Sequence, residues 1–321
     1  MSSNILTSDS TKSTPSTSGR GDFLLTPDHT KALIFSEDMI LKTLDLTCPS
    51  DPIFSDLEDE TYACCASGDF SDFYLFGGDS KNVQKCYFGD ASKNFTMLET
   101  KGNINHLHMA ASIFFNQKFF AAACEDNKVC LYDFDRERSF FPKESDCHEA
   151  SCIFTKISPR TDLVTSLAKD GSFCLYQIKQ DEAKNLEAFD RLVLKKKFFF
   201  SNDLKAAESK LRFGCDFLTK DGDLDILISG KETLQKLTLG KNNQWELSLV
   251  PDVTHTEKIV NVLTFNYNFE IELLLTVSLD KKLKLWAYNT LTKTNDCVGS
   301  FDFDDHLQTL TYCDKFDRIL A

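Results

Sequence analysis

The chain has 321 residues, of which 42% are hydrophobic and 26% charged, so it carries enough apolar material for a large buried core. Its 49 acidic and 36 basic side chains give a formal net charge of −13, which argues against a broad phosphate-binding face and hence against direct nucleic-acid binding. Its 12 cysteines form no Cys-x-x-Cys pair, which argues against a zinc-finger site and predicts reduced thiols inside strands.

The first segment, residues 1–21, is rich in Ser and Thr and has almost nothing to bury, so it predicts a disordered tail. Within it, Thr14-Pro15 is either a site for a proline-directed kinase or an unmodified part of a solvated tail. No apolar secretory segment follows Met1, and no run of about 18 apolar residues occurs in the chain. We therefore expect an intracellular protein, nuclear or alternatively cytoplasmic.

A three-stranded pattern begins at Asp22. Its parts are a short apolar strand, a turn at Pro27, a strand from Lys31 to Phe35, a turn ending at Asp38 and a strand from Met39 to Leu46. Short polar turns between apolar strands predict a β-meander, in which Pro27 presets the backbone angle of the first turn.

The same pattern returns five more times. The returning segments are 62–66 with 73–88, 104–109 with 119–134, 147–178, 211–217 with 226–239, and 254–288. Their aligned turn residues are Asp38, Asp79, Asp126, Asp170, Lys231 and Asp280, at spacings of 41, 47, 44, 61 and 49. A period in the forties with about four short strands per unit is typical of propeller blades.

A seventh repeat begins near residue 307 and stops at Ala321, inside its second strand. We therefore predict an all-β fold, a seven-bladed β-propeller over residues 22–321 whose last blade is incomplete. The apolar pair Ile319-Leu320 directly before the end predicts that these residues are the front of a longer protein, and that any oligomerisation arises from the following part. A six-bladed ring with a C-terminal hairpin is the alternative.

The one long spacing contains an insertion at about residues 179–210. Within it, the sequence RLVLKKKFFF is the best candidate for the outer strand of the fourth blade. Its basic cluster is Lys195, Lys196 and Lys197. Two interpretations are open: the lysines protect an edge strand from aggregation, or they bind an acidic peptide of a partner protein.

The segments Thr254 to Tyr288 and Cys147 to Ile178 resemble blades of the WD-repeat family, which implies a WD-repeat propeller. The resemblance also implies a hydrogen-bonded set of four residues in each blade: a His before the inner strand, a hydroxyl in the second strand, an Asp in the turn and a Trp in the third strand. The implied sets are His255, Thr276, Asp280 and Trp286 in repeat six, and His148, Ser166, Asp170 and Tyr176 in repeat four. Tyr176 stands where the family has Trp, and Lys231 stands where repeat five should have Asp.

A His and an Asp at this spacing also fit a catalytic dyad. No Ser or Cys nucleophile sits in a strained turn nearby, so we expect a structural role and no enzyme activity. His106 and His108 alternate along one strand and share a face, which is a weak indication of a metal site. We expect ordinary core or edge histidines there, with neither a metal nor a cofactor.

Three segments are also similar to the N-terminal propeller of the chromosome transmission fidelity family of replisome adaptors. These are LTPDHTKALIFSEDMILKTLDL with the acidic SDPIFSDLEDE, CEDNKVCLYDF, and the interruption between repeats four and five. The resemblance implies a nuclear scaffold that couples the replicative helicase to DNA polymerase alpha and supports sister-chromatid cohesion. The expected partners are proteins, through short peptides or replisome and chromatin components, and no membrane. An adaptor of a ubiquitin ligase, vesicle coat or RNA-processing complex is the alternative, and a propeller hydrolase is a further one.

Overall fold

The structure is a computed structural model. It describes residues 21–26, 28, 30–36, 39–47, 53–57, 60–66, 72–88, 90–112, 115–179, 192–199, 214–220, 223–240, 244–266, 271–289, 294–304, 311–313 and 318–320. Residues 1–20 of the predicted tail, with Thr14-Pro15, lie outside these residues, as do the turn residues Pro27 and Asp38 and the flanks of the insertion. Gly21, the last residue of the predicted tail, instead begins the first strand. The chain divides into two compact units, a first that ends at Lys210 and a second that begins at Leu211.

The first unit contains four four-stranded antiparallel sheets, one for each of repeats one to four. Repeat one has β1 (Gly21–Leu25), β2 (Lys31–Ser36), β3 (Ile40–Asp45) and β4 (Ile53–Asp56). Repeat two has β5 (Thr61–Cys65), β6 (Phe73–Gly78), β7 (Asn82–Tyr87) and β8 (Asp90–Glu99). Repeat three has β9 (Ile104–Ser112), β10 (Gln117–Cys124), β11 (Val129–Asp133) and β12 (Arg138–Phe140), followed by a 3-10 turn at Glu144–Asp146. Repeat four has β13 (Cys152–Ile157), β14 (Leu163–Ala168), β15 (Ser172–Ile178) and β16 (Leu192–Phe199).

The second unit contains two such sheets and a two-stranded one. Repeat five has β17 (Cys215–Lys220), β18 (Asp223–Ile228), β19 (Thr233–Leu239) and β20 (Trp245–Thr254). Repeat six has β21 (Ile259–Asn266), β22 (Ile271–Ser278), β23 (Lys282–Asn289) and β24 (Thr294–Asp302). The hairpin of β25 (Thr311–Cys313) and β26 (Arg318–Leu320) follows. The all-β class is therefore confirmed, with six four-stranded sheets among the described residues, while seven blades and a ring over residues 22–321 stay predictions.

Several second strands of the sheets are buried on both faces, because neighbouring sheets of one unit pack against each other. All six residues of β6 and of β14 are buried. Leu75 of repeat two shares a core with Leu107 and Phe120 of repeat three, and in the second unit Leu227 of repeat five packs with Trp286 of repeat six. Strands covered on both faces are mostly apolar, which is why these segments were readable in the sequence.

One backbone hydrogen bond recurs between successive repeats. In the segment that leads from one repeat to the next, one residue donates its N–H to a backbone carbonyl in the turn between the second and third strands of the earlier repeat. The pairs are Leu57 to Met39 at 2.8 Å, Thr100 to Lys81 at 2.8 Å, His148 to Asn127 at 3.2 Å, His255 to Glu232 at 2.8 Å and Phe303 to Lys281 at 2.9 Å. This bond identifies equivalent positions without reference to side chains.

A second recurring bond corrects the alignment of repeat two. The N–H of Asp79 donates to Glu60 at 3.1 Å, just as the N–H of Leu279 donates to Lys258 at 3.0 Å. Asp79 is therefore equivalent to Leu279, and Ser80 is equivalent to Asp280. The prediction that Asp79 is the turn residue equivalent to Asp280 was wrong by one residue. Asp79 and Ser80 are adjacent polar residues in a short turn, and the sequence does not show which of them aligns with Asp280.

The fourth strand of a repeat was predicted from the sequence in repeat four but not in repeat one. The predicted strand of the insertion is confirmed, since β16 pairs with β15 along its whole length. The acidic segment that supplies β4 was not predicted as a strand. Its four residues are all exposed, so it has no buried face and no alternation for a sequence pattern to detect.

Among the described residues, no helix is long and apolar enough to cross a membrane.

Candidate functional site

The four residues predicted in repeat six form one continuous chain of hydrogen bonds. Nδ1 of His255 lies 3.0 Å from Oδ2 and 3.1 Å from Oδ1 of Asp280, and Nε2 lies 2.8 Å from the Thr276 hydroxyl. The indole Nε1–H of Trp286 donates to the same hydroxyl oxygen at 2.8 Å. A carboxylate can only accept, so Nδ1 carries the proton and Nε2 accepts from Thr276.

Burial and charge hold this chain in one protonation state. Burial lowers the pKa of His255, although the hydrogen bond and the charge of Asp280 act in the opposite direction. Burial would raise the pKa of Asp280, but the backbone N–H of Thr256 and the imidazole outweigh it and leave this pKa lowered. The imidazole is therefore neutral and the carboxylate charged near pH 7. Every polar atom of the imidazole is engaged, so the group fixes the turn rather than facing a substrate.

Repeat four uses a different connection. Nε2 of His148 lies 2.6 Å from the Ser166 hydroxyl as predicted, but Nδ1 lies 2.6 Å from the hydroxyl of Ser172, and Ser172 donates to Asp170 at 2.5 Å. Asp170 therefore reaches the imidazole through a serine that the sequence analysis did not single out. The signal was available, since Ser172 follows Asp170 by two residues, the spacing at which an Asp accepts from a hydroxyl.

The fourth member of the set in repeat four also differs. The hydroxyl of Tyr176 donates to the backbone carbonyl of Asp146 at 3.0 Å, a group that lies 30 residues away in the chain. Tyr176 is fully buried, and burial raises its pKa. Burial likewise lowers the pKa of His148 to about 4, with Asp170 raising and Lys197 lowering it. His148 and Tyr176 are thus neutral near pH 7 and hydrogen-bonded, whereas Oδ2 of Asp170 is buried and accepts no hydrogen bond from the described residues.

Repeat three lacks the set. The recurring backbone bonds place Thr100 at the His position and Asp126 at the Asp position, and the same offsets along the strands place Ala122 and Tyr132 at the other two. The Thr100 hydroxyl has two backbone carbonyl oxygens within reach of its single proton, that of Lys81 at 2.8 Å and that of Gly102 at 2.6 Å. No hydrogen bond to Oδ1 of Asp126, which is buried, exists within the described part of the chain.

The three lysines of the insertion strand have unequal surroundings. Lys195 and Lys196 are exposed on β16. The ammonium group of Lys197 instead donates to the backbone carbonyl of Cys147 at 3.2 Å and lies 3.8 Å from a carboxylate oxygen of Glu149. Only the first two lysines therefore keep a solvated charge for a partner.

His106 and His108 are separately engaged. The backbone N–H of Ile157 donates to Nδ1 of His108 at 3.2 Å, and burial lowers the pKa of His108 to about 3, with Lys156 acting in the same direction. The ring of His106 packs on Phe154 with centroids 4.4 Å apart. In the part of the chain that the structure describes, no group of three or more His, Cys, Asp or Glu side chains is arranged to hold a metal ion.

The ten cysteines whose side chains the structure describes are free thiols. Nine of them are buried and Cys297 is exposed, and burial raises the pKa of Cys65, Cys130 and Cys152. A raised pKa keeps a thiol protonated and therefore a poor nucleophile.

Comparison with solved structures identifies the architecture. The chain is similar to the crystal structure of the RRP9 WD40 repeats, with a TM-score of 0.62 and 11% identity, covering 92% of this chain and 84% of that one. The fold is that of WD40 repeat proteins. The structure of U3-55K is similar too, with a TM-score of 0.61 and 12% identity over 92% of this chain and 86% of that chain. At such identities the likeness concerns the WD40 fold alone. Neither a protein-family model nor a curated protein matches the sequence.

Proposed function

We propose that the chain is a protein-interaction scaffold with the WD40 fold and not an enzyme, and that it serves in the nucleus as an adaptor in DNA replication and sister-chromatid cohesion. The scaffold role is supported by the likeness to WD40 repeat structures, and the observation that argues against catalysis is the hydrogen-bond chain of His255, Thr276, Asp280 and Trp286. This chain engages one of the two His–Asp pairs that have the spacing of a catalytic dyad, and in the other pair the hydroxyl of Ser172 stands between His148 and Asp170.

Chemistry at this pair supports a structural role. A general base must present a free lone pair within reach of a substrate proton. The Nε2 lone pair of His255 accepts from Thr276, and that hydroxyl also accepts from the indole of Trp286. Releasing any member would leave a buried polar group unpaired, at a cost of about 1–3 kcal/mol.

Exposed apolar side chains lie mostly on the outer strands of the sheets. They include Ile53 and Phe54 on β4, Phe95 on β8, Phe199 on β16, Leu247 and Leu249 on β20, and Val298 on β24. Each outer strand also has one edge whose backbone groups are not paired within its own sheet. Such edges can pair with an extended peptide, and exposed side chains beside them provide specificity. These strands support a function in holding partner proteins.

The replication role rests on the three similar sequence segments, and the nuclear location follows from it. The exposed Lys195 and Lys196 fit an acidic peptide from such a partner. The proposed partners are subunits of the replicative helicase and of DNA polymerase alpha.

Affinity purification of the tagged endogenous protein tests this function. Recovery of helicase and polymerase alpha subunits is the expected result. Recovery of ubiquitin-ligase, coat or RNA-processing subunits instead would overturn the replication role, and absence of any stoichiometric partner would overturn the scaffold role. Replacing Lys195 with Glu should reduce recovery of an acidic partner, whereas the exposed Lys143→Glu, which makes the same change of charge elsewhere, should not.

A further inference from the structure

The outer strand of repeat five, β20, contains an exposed segment at the edge of its sheet. Glu246, Leu247, Ser248 and Leu249 are all exposed, so both faces of the strand are uncovered there. One edge of β20 pairs with β19, and among the described residues no strand pairs with its other edge. An exposed apolar edge of this kind is a site at which a further strand can add.

The backbone groups of Leu247 and Leu249 point to this open edge. The N–H of Gly240 donates to the carbonyl of Gln244 at 2.8 Å, which makes these two residues a hydrogen-bonded pair at the start of the β19–β20 ladder. The register is regular from there to Leu249, and hydrogen-bonded and non-hydrogen-bonded pairs alternate along an antiparallel ladder. Leu247 and Leu249, three and five positions after Gln244, therefore direct their N–H and C=O groups away from β19.

The same two leucines provide apolar surface beside the edge. Leu247 is 39% exposed and Leu249 is 56% exposed, and because they alternate along the strand they share one face of the sheet. Leu239 pairs with Trp245 across the ladder, so it lies on that face too, and it is 45% exposed. The exposed leucines among the described residues of repeat five are thus all on a single face.

The charges of β20 permit pairing with an identical strand. About a two-fold axis at Ser248, Leu247 lies opposite Leu249 of a second copy, Ser248 opposite Ser248, and Glu246 opposite Val250. No charge then lies directly opposite a like charge, and β20 contains neither Lys nor Arg. The strand β16 differs, because an identical copy would bring its three lysines against one another. The sequence of β20 is therefore self-complementary, whereas that of β16 is self-repelling.

We propose that two copies of this chain associate through β20, which joins the two repeat-five sheets edge to edge. The N–H and C=O groups of Leu247 bond to those of Leu249 of the second copy, and the leucines of both copies pack together on one face. Pro251 ends the pairing, because it has no N–H and its carbonyl already accepts from the Asn295 side chain at 2.8 Å. Since both copies use the same surface, the contact closes and gives a dimer without larger species.

This inference is independent of the proposed partner proteins, and it adds a self-association surface within repeat five. Sedimentation of the full chain tests it. We expect monomer at about 5 µM and dimer at about 500 µM, because a contact of one strand edge is at the weak end of protein interfaces. Leu249→Lys places a charge against Leu247 of the second copy and should weaken association at least tenfold. The control Ile53→Lys changes an exposed aliphatic residue on the outer strand of repeat one and should have no effect.

Cysteine crosslinking determines the register of the contact. In a background with Cys48, Cys297 and Cys313 replaced by Ser, Ser248→Cys places its thiol opposite that of the second copy. The two residues form a non-hydrogen-bonded pair with Cα atoms about 4.5 Å apart, which is within the range of a disulfide. Oxidised glutathione should link this variant at least tenfold faster than Glu246→Cys, an exposed position whose counterpart lies four residues away along the second strand.

Three results would overturn the inference: a monomer at every concentration, unchanged association of Leu249→Lys, or crosslinking of Glu246→Cys as fast as that of Ser248→Cys. Sedimentation of the unchanged chain needs no variant, so it decides the matter even when a variant fails to fold. If partner proteins co-purify but the chain stays monomeric, this inference fails and the scaffold function stands. If the chain dimerises through β20 but no partner co-purifies, the scaffold function fails and this inference stands.

Discussion

Thr100 occupies in repeat three the position that His255 occupies in repeat six, since each donates its backbone N–H over 2.8 Å to the turn of the preceding repeat. The backbone frame of the two repeats is therefore the same while the side chains differ. In repeat six the frame is completed by four hydrogen-bonded residues, and in repeat three Thr100 and Ala122 stand at the positions of His255 and Thr276. Buried side-chain hydrogen bonds are thus distributed unequally among repeats that share one backbone frame.

Replacing Trp286 with Phe should lower the free energy of unfolding by about 1–3 kcal/mol, because Thr276 loses its indole donor and a small void forms. The other tryptophan, Trp245, provides the matched control. It is half-buried on the outer strand β20, so Trp245→Phe should cost less than about 1 kcal/mol. Urea unfolding of both variants measures the difference, and equal losses would contradict the structural role of the repeat-six set.

Stability should fall as the pH is lowered from about 6.5 to about 4, in part because of His148. Burial lowers its folded pKa to about 4, so within this window the unfolded chain binds a proton that the folded chain does not. One such group contributes a slope of up to about 1.4 kcal/mol per pH unit. The variant His148→Gln should show a smaller slope in urea unfolding between these pH values. Parallel curves for the two proteins would show that His148 is not buried in its neutral form.

Gly78 should not tolerate a side chain. A Cβ at this position would lie 2.0 Å from the backbone carbonyl oxygen of Glu60, so the strand or the loop would have to shift. We expect Gly78→Ala to lower the free energy of unfolding by about 1–3 kcal/mol, the usual cost of overpacking. Gly299→Ala is the control, because its nearest neighbour is the side chain of Phe301 at 3.2 Å, which can move. Thermal unfolding of the two variants distinguishes them, and similar midpoints would be inconsistent with the close approach.

The lysines of β16 should differ in their effect on stability. Lys197→Ala removes the donor to the Cys147 carbonyl and should cost about 1 kcal/mol. Lys196→Ala removes an exposed charge and should change stability by less than about 0.5 kcal/mol. Chemical denaturation measures both. An equal effect would mean that the cluster acts as one solvated surface, as the sequence alone had it.

The second and third strands of most sheets could be predicted from the sequence because each is a short, mostly apolar segment bounded by a polar turn. β4 was missed because all of its side chains are exposed, and Ser80 was missed because two polar residues share one turn. The residues of the repeat-six set could be predicted because repeat six has the same order of residue types, His, Thr, Asp and Trp, as a blade of the WD-repeat family. In repeat four the prediction named Ser166 correctly and missed Ser172, since the sequence does not show which hydroxyl stands between the imidazole and the carboxylate.

By itself, the sequence determined the all-β class, the repeat period and the turn residues of most repeats, because these depend on alternation and spacing over a few neighbouring residues. Only the tertiary structure decided which of those residues meet. The hydroxyl of Tyr176 donates to a backbone carbonyl 30 residues away in the chain, and the ammonium group of Lys197 donates to one 50 residues away. The turn of Asp126 lies beside Thr100 of the preceding loop. Such contacts depend on how sheets pack against one another, and a hydrogen bond extends only about 3 Å, so no local pattern could specify them.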